Sequence, residues 1–168
     1  MTERIIFVDE KDQPIGAGTR EEAWDKGIYV RLVRIMIRDE NGRILSQHRV
    51  SNAKSYPNLW TNSASGHVDD GETWDEAAYR EMNEEIGVST DLKLVGDFVL
   101  RVDRDGKKIR QFNRFYEGVV DSSIPLKLQL EEVSEIKWYE LDELKSQMQK
   151  TPEMFTPGFH ESITKYYL

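Results

Sequence analysis

The chain of 168 residues contains no cysteine, which removes disulfides and thiolate metal sites and suits a reducing compartment. It has no apolar run near the roughly 18 residues that span a bilayer, and its opening, MTERIIFVDEKDQ, lacks the apolar stretch and cleavage site of a signal peptide. A cytoplasmic location with no membrane partner is the expectation. Basic residues are outnumbered: 23 Lys and Arg against 31 Asp and Glu leave a net charge of −8. Neutralising a phosphate backbone needs a basic surface, so nucleic acid is excluded as a partner and a small substrate is expected. There are only five prolines, with no proline-rich linker, low-complexity tract or internal repeat. A chain of this length buries one good core, so residues 1–168 read as a single domain.

What stands out is Gly66–Val88, GHVDDGETWDEAAYREMNEEIGV. Thr73 and Glu76 form a capping box, and Gly87 supplies a glycine stop, so a helix is predicted from about Trp74 to Glu85. At roughly 100° per residue, Trp74, Ala77, Ala78, Glu81, Glu84 and Glu85 share one arc, which places three acids on the small-residue, core-facing side. Like charges at this spacing repel, and partial burial pushes at least one carboxyl toward its neutral form. A divalent cation reverses that penalty. Carboxylate oxygens suit Mg²⁺, with Mn²⁺ also admissible, and Mg²⁺ is commonly shared between carboxylates, water and substrate phosphates. The bland alternative, a solvated acidic face, does not account for the capping box, alanines and glycine stop around these acids.

Elsewhere, Ile5–Val8 and Pro14–Ala17 alternate about a polar turn and predict a leading hairpin within residues 1–28. Tyr29–Arg38 and Arg43–Arg49 read as strands joined through Asn41-Gly42, and Leu92–Val102 and Ile109–Val120 as strands joined through Asp103–Gly106. Ile136–Tyr139 reads as a further strand, Asp142–Lys150 as a helix stopped before Pro152, and Gly158–Tyr167 as a terminal helix. Thr19 begins a short helical or irregular link. Strands mixed with helices in this way predict an α+β fold with a sheet covered on both faces.

Residues 66–88 resemble the Nudix hydrolase box, Gly-x5-Glu-x7-Arg-Glu-U-x-Glu-Glu-x-Gly-U with U a bulky aliphatic. Gly66, Glu72, Arg80, Glu81, Met82, Glu84, Glu85, Gly87 and Val88 fill every specified position. The resemblance implies a three-layer α/β/α sandwich around a mixed β-sheet. It also implies metal held by Glu81, Glu84 and Glu85, and hydrolysis of a nucleoside diphosphate linked to another group or of a related small diphosphate.

A second resemblance runs from about Phe7 to Phe155. YPNLWTNSASGH (56–67) and VSEIKWYELDELKSQMQKTPEMF (133–155) look like isopentenyl-diphosphate isomerase, a Nudix-fold enzyme whose scaffold also opens with a hairpin. Its chemistry does not carry over residue by residue. Ser65 stands where the isomerase has its catalytic cysteine, Val30 replaces one metal-binding histidine, and Gln111-Phe112-Asn113 replaces its Glu-x-Glu. Proton transfer across a double bond needs an acid on one face and a base on the other, which a serine and two amides do not supply near neutral pH. Hydrolysis on an isomerase-like scaffold is therefore the leading reading. An isomerase-like enzyme and a non-catalytic diphosphate-binding module are the alternatives.

Among individual residues, Arg80 and Glu72 are candidates for a strut that fixes the loop against the helix. Glu84 or Glu85 is the candidate base within the box, and Glu131 or Glu132 outside it, although acids before a strand equally suit a solvated loop. Arg49 and Lys54 fall where the isomerase resemblance puts diphosphate contacts. Gly66 is read as permitting close approach, while Gly71 fits that role and simple turn punctuation equally well. His67 matches an isomerase metal ligand whose companions are missing, so a loop or substrate contact is expected; His48 and His160 carry no chemical signal. Trp60, Trp74, Phe112 and Tyr116 either line a base pocket or belong to the core, the commoner fate of aromatics at such spacing. The edge of the leading hairpin could pair with a second copy in a homodimer.

Overall fold

In the computed structural model, which describes residues 3–167, the leading alternation forms an antiparallel pair, β1 (Ile5–Val8) and β2 (Pro14–Gly18). Its turn is closed by the Asp9 carboxylate, which accepts from the N–H groups of Lys11 and Gln13 at 2.8 and 3.0 Å. Thr19 then caps α1 (Arg20–Lys26) through the Glu22 N–H, and Gly27 ends it in the left-handed region at φ 68°.

β3 (Tyr29–Arg38) is the spine of the sheet. One edge runs parallel to β8 (Lys107–Val119), from Val30 opposite Gln111 to Arg38 opposite Val119. Its other edge meets three partners in succession: β1, then β6 (Ala64–His67), then β4 (Ile44–Arg49). The hairpin predicted through Asn41-Gly42 is correspondingly short. The turn forms, with Gly42 at φ 80° and the Asp39 carboxylate accepting from the N–H groups of Asn41 and Arg43, but only Arg38 and Ile44 pair across it. Because β6 occupies the edge that a longer hairpin would use, β4 turns away to pair with β5 (Trp60–Thr61) and β9 (Val133–Tyr139). β7 (Lys93–Arg104) and β8 form the expected long hairpin about Asp105-Gly106.

The periodicity of β3 sorts its side chains between two layers. Val33, Ile35 and Ile37 pack with Ala77, Ala78, Met82 and Ile86 of α2 (Trp74–Ile86). Met36 packs instead with Leu144 and Met148 of α3 (Leu141–Lys150) and Phe159 and Ile163 of α4 (Pro157–Tyr166). Helices therefore cover both faces of a mixed sheet, the three-layer arrangement expected. Burial of Met82 and Ile86 contributes about 3–6 kcal/mol and fixes which side of α2 faces inward. No helix among the described residues is long and apolar enough to cross a membrane.

Candidate active site

The N-terminus of α2 is set by the capping box: the Glu76 N–H donates to Thr73 Oγ1 at 3.1 Å and the Thr73 N–H donates to Glu76 Oε2 at 3.2 Å. Gly87 closes the other end at φ 66°. Between them, Arg80 organises the loop that precedes the helix. Its guanidinium donates to both oxygens of Glu72, at 2.6 and 2.8 Å, and to the His67 carbonyl at 3.0 Å. It also donates to Glu81 at 2.7 Å and reaches Glu84 at 3.4 Å. The Glu72 carboxylate in turn accepts the Asp69 N–H, so a fork-shaped pair ties loop to helix.

The acids on α2 differ in setting. Glu81 lies over Gly66, where an added Cβ would come within 2.1 Å of the Glu81 carboxyl carbon. Glu85 is buried, and its Oε2 accepts from Gln47 Nε2 at 2.6 Å and the Ser65 N–H at 3.1 Å. Glu84 is exposed at the margin of the arc rather than on the core-facing side predicted for it, because Met82 and Ile86 set the inward direction. Burial holds Glu81 and Glu85 above the ordinary carboxylate range, and the neighbouring charge of Glu81 raises Glu85 further.

Among the described residues no three His, Asp or Glu side chains converge as a ready shell for an ion. Arg80 takes one oxygen of Glu81, while Gln47 and Ser65 take one of Glu85. The donor chemistry nevertheless fits a hard divalent cation: the acids offer oxygen only, and buried Glu85 is crowded by partly buried Glu81, a cost that a cation offsets. Glu81 and Glu85 lie on the inward side of α2 predicted for them, and Glu84 does not.

These acids open onto a cleft of about 980 Å³ that also contains Arg49, Lys54, Glu131 and Glu132. Arg49 is half-buried, donates to the Ser55 carbonyl at 2.9 Å, and is close enough to Glu85 and Glu132 to feel their charge. Lys54 is exposed at the rim and bonded to Glu21 at 2.7 Å. His67 also lines the cleft; burial pushes its pKa down to about 3, with the surrounding arginines adding to the effect, and its Nε2 is buried without a partner. Gly71, at φ 84° with open space around it, serves the turn.

None of Trp60, Trp74, Phe112 and Tyr116 lines the cleft. Tyr116 and Trp74 pack with the α2 layer, Trp60 packs against Tyr139, and Phe112 packs against Tyr29. The cleft aromatics are instead Trp24 and Tyr56. Sequence reasoning also passes over Arg20, Arg34 and Gln47. Arg34 has a legible signal, a cation between the apolar Leu32 and Met36 on one face of β3, whereas Gln47 has none.

Arg80→Lys tests the strut: a lysine keeps the charge but not the fork. The expected result is about a tenfold fall in kcat/KM with an increased metal requirement, measured by metal titration of activity.

A mixed sheet between helical layers, with a loop–helix–loop presenting acids beside a glycine, defines a Nudix-type protein. The chain belongs to the NUDIX domain family, whose match covers residues 29–159. It is 32% identical over 164 residues to isopentenyl-diphosphate Delta-isomerase 2 of Photorhabdus laumondii, covering 97% of this chain and 92% of that protein. A prenyl-diphosphate phosphatase of Methanosarcina mazei is 30% identical over 165 residues, covering 97% and 94% respectively. The crystal structure of DR0079 from Deinococcus radiodurans superposes with a TM-score of 0.82 at 23% identity, over 99% of this chain and all of that one, a likeness of fold.

Proposed function

We propose that the protein is a metal-dependent hydrolase of a diphosphate bond in a nucleoside diphosphate linked to another group, or in a related small diphosphate. The observation that carries this reading is that Glu81, Glu84 and Glu85 open onto the same cleft as Arg49 and Lys54. Family membership supports diphosphate hydrolysis in general, and the name of the Methanosarcina relative agrees with it.

In this reading Glu81, Glu84 and Glu85 would hold Mg²⁺ or Mn²⁺. The ion supplies charge neutralisation and polarisation at the phosphoryl oxygens when bound. Arg49 and Lys54 bind phosphate oxygens, and Gly66 leaves room for the Glu81 carboxyl above it. Glu85 or Glu132 accepts the proton of the attacking water, and Arg80 with Glu72 holds the helix acids in place as positioning residues.

Isomerisation is the second reading, favoured by similarity to the Photorhabdus isomerase along nearly the whole chain. The residues at the corresponding positions speak against it: Ser65, Gln111 and Asn113 provide no acid–base pair. Assaying isopentenyl diphosphate by proton NMR, together with nucleoside diphosphate derivatives scored for phosphate or monophosphate release, separates the readings. Hydrolytic products without dimethylallyl diphosphate support hydrolysis; dimethylallyl diphosphate without phosphate release would replace it with isomerisation.

A further inference from the structure

One end of the cleft is positive and has no anion of its own. Arg34 is 5% exposed, and its three hydrogen-bond partners are all amide oxygens: Asn113 at 2.8 Å, Asn62 at 3.2 Å and Gln111 at 3.4 Å. A guanidinium carries five N–H groups, so two remain for a ligand. The arginines of the cleft differ in their partners. Arg20 pairs with Glu3 and Arg80 with Glu72, each at 2.6 Å, whereas among the described residues Arg34 forms no ion pair with a carboxylate. A buried charge is normally paired, because its desolvation otherwise goes uncompensated. The amides themselves are telling: 111 and 113 are the two positions where the isomerase resemblance expects carboxylates. Acids there would neutralise Arg34 from within, while amides hold the guanidinium in place and leave its charge for something else.

The surroundings add to the imbalance. The first turn of α4 lies on the guanidinium, a contact that only glycine permits, since a Cβ on Gly158 would fall 2.0 Å from Arg34 Cζ. The positive end of a ten-residue helix thus meets a positive side chain, and Gly158 lines the cleft at that meeting point. The Tyr56 hydroxyl, a further donor, is buried without a hydrogen-bond partner, and Tyr56 lies near enough to Arg34 and Arg49 to feel both charges. Its backbone sits at φ 49°, in the left-handed region that a tyrosine seldom occupies. The electrostatic neighbours give the order of groups along the cleft. Arg49 feels Glu85 and Glu132, whereas Arg34 feels Arg49 and Tyr56 but no carboxylate. A ligand whose diphosphate lies between the acids of α2 and Arg49 therefore directs its other end toward Arg34.

We propose that the ligand carries a second anionic group remote from its diphosphate, a carboxylate or a phosphate monoester, and that Arg34 and Tyr56 receive it. The inference rests on reading the cleft as a diphosphate site. An oxyanion at this end supplies the ionic counterpart that Arg34 lacks and accepts from its two free N–H groups and from the Tyr56 hydroxyl. A neutral sugar leaves the guanidinium charge uncompensated, and a hydrocarbon tail also leaves its free donors unpaired.

The test is calorimetric binding, with Mg²⁺ present, of pairs of diphosphates that differ only in the second anion. Uridine diphosphate glucuronate against uridine diphosphate glucose tests a carboxylate, NADPH against NADH tests a phosphate monoester, and inorganic diphosphate is the control. Wild type is compared with Arg34→Met and with Asn113→Asp, which keeps the arginine and supplies the missing carboxylate from within the fold; product release is followed separately. In at least one pair, wild type is expected to bind the anionic member at least about tenfold more tightly. Both substitutions should bring that pair close to parity while inorganic diphosphate binds as before, and Asn113→Asp carries the test if the methionine variant fails to fold. No preference in either pair, or a preference that survives both substitutions, would overturn the proposal. Inorganic diphosphate weakened by Arg34→Met as much as the anionic member would place the diphosphate itself on Arg34 and overturn it too. A preference that follows Arg34 without product release would leave this inference standing and remove hydrolysis instead.

Discussion

Glu85→Gln is expected to lower kcat/KM by at least about a hundredfold without loss of fold. The substitution removes a charge and little else. A glutamine oxygen at the same place still accepts the Ser65 N–H, which now reaches Glu85 Oε2 at 3.1 Å. Stability in the absence of metal should not fall. Burial and the charge of Glu81 hold the Glu85 pKa above its ordinary value, so ionised Glu85 opposes folding. A folded-state pKa raised in this way means that the metal-free protein loses stability as pH rises above the ordinary carboxylate range, and the neutral amide removes that loss. The measurements are steady-state kinetics and chemical denaturation without metal at neutral pH. Low activity with equal or higher stability is the expected pair of results; near-normal activity would show that Glu85 is not part of the chemistry.

Gly66→Ala is the second large effect, and here the single added atom is the whole perturbation. Its Cβ would lie 2.1 Å from both the carboxyl carbon and Oε1 of Glu81, a distance no pair of such atoms tolerates. Glu81 must rotate away or α2 must lift from β6. Lifting the helix disturbs the packing of Ala77, Ala78 and Met82, so rotation of the side chain is the cheaper response. Either movement takes Glu81 from the cleft wall, and a fall of about a hundredfold in activity is expected, at the upper end of effects from groups that orient metal ligands. Mn²⁺ binding followed by electron paramagnetic resonance should weaken in parallel. Unchanged Mn²⁺ affinity would mean that Glu81 is not a ligand.

The helix of the box is legible in the sequence because its local signals reinforce one another. Thr73, Glu76 and Gly87 fix the ends of α2 through hydrogen bonds within a few residues, so the predicted limits fall close to the observed ones. The inward arc holds for Glu81 and Glu85. It is too wide at Glu84, since a helical projection cannot tell which of its edges a neighbouring layer leaves open. Strands β5 and β6 are not legible, because WTNSASGH has neither alternation nor β-branched runs; their partners, β4 and β3, lie elsewhere in the chain. Arg49, picked out by the resemblance to the isomerase, and Glu132, picked out as an acid before a strand, both line the cleft. Gln47 is tied to Glu85 from 38 residues away, a separation at which composition and periodicity carry no information. The aromatics have two readings in the sequence, and their packing against the sheet and its flanking layers puts them outside the cleft.

Metal-dependent diphosphate cleavage through the acids of α2 is tested most directly by ³¹P NMR with the purified protein. Nucleotide sugars, dinucleotides, nucleoside diphosphates and prenyl diphosphates would each be followed with Mg²⁺, after chelation, and after Mn²⁺ is restored. The expected result is cleavage of at least one compound that stops on chelation, returns with either ion, and is lost in Glu85→Gln. Cleavage that persists without metal or without Glu85, or no cleavage of any compound by a folded, ligand-binding protein, would refute that chemistry.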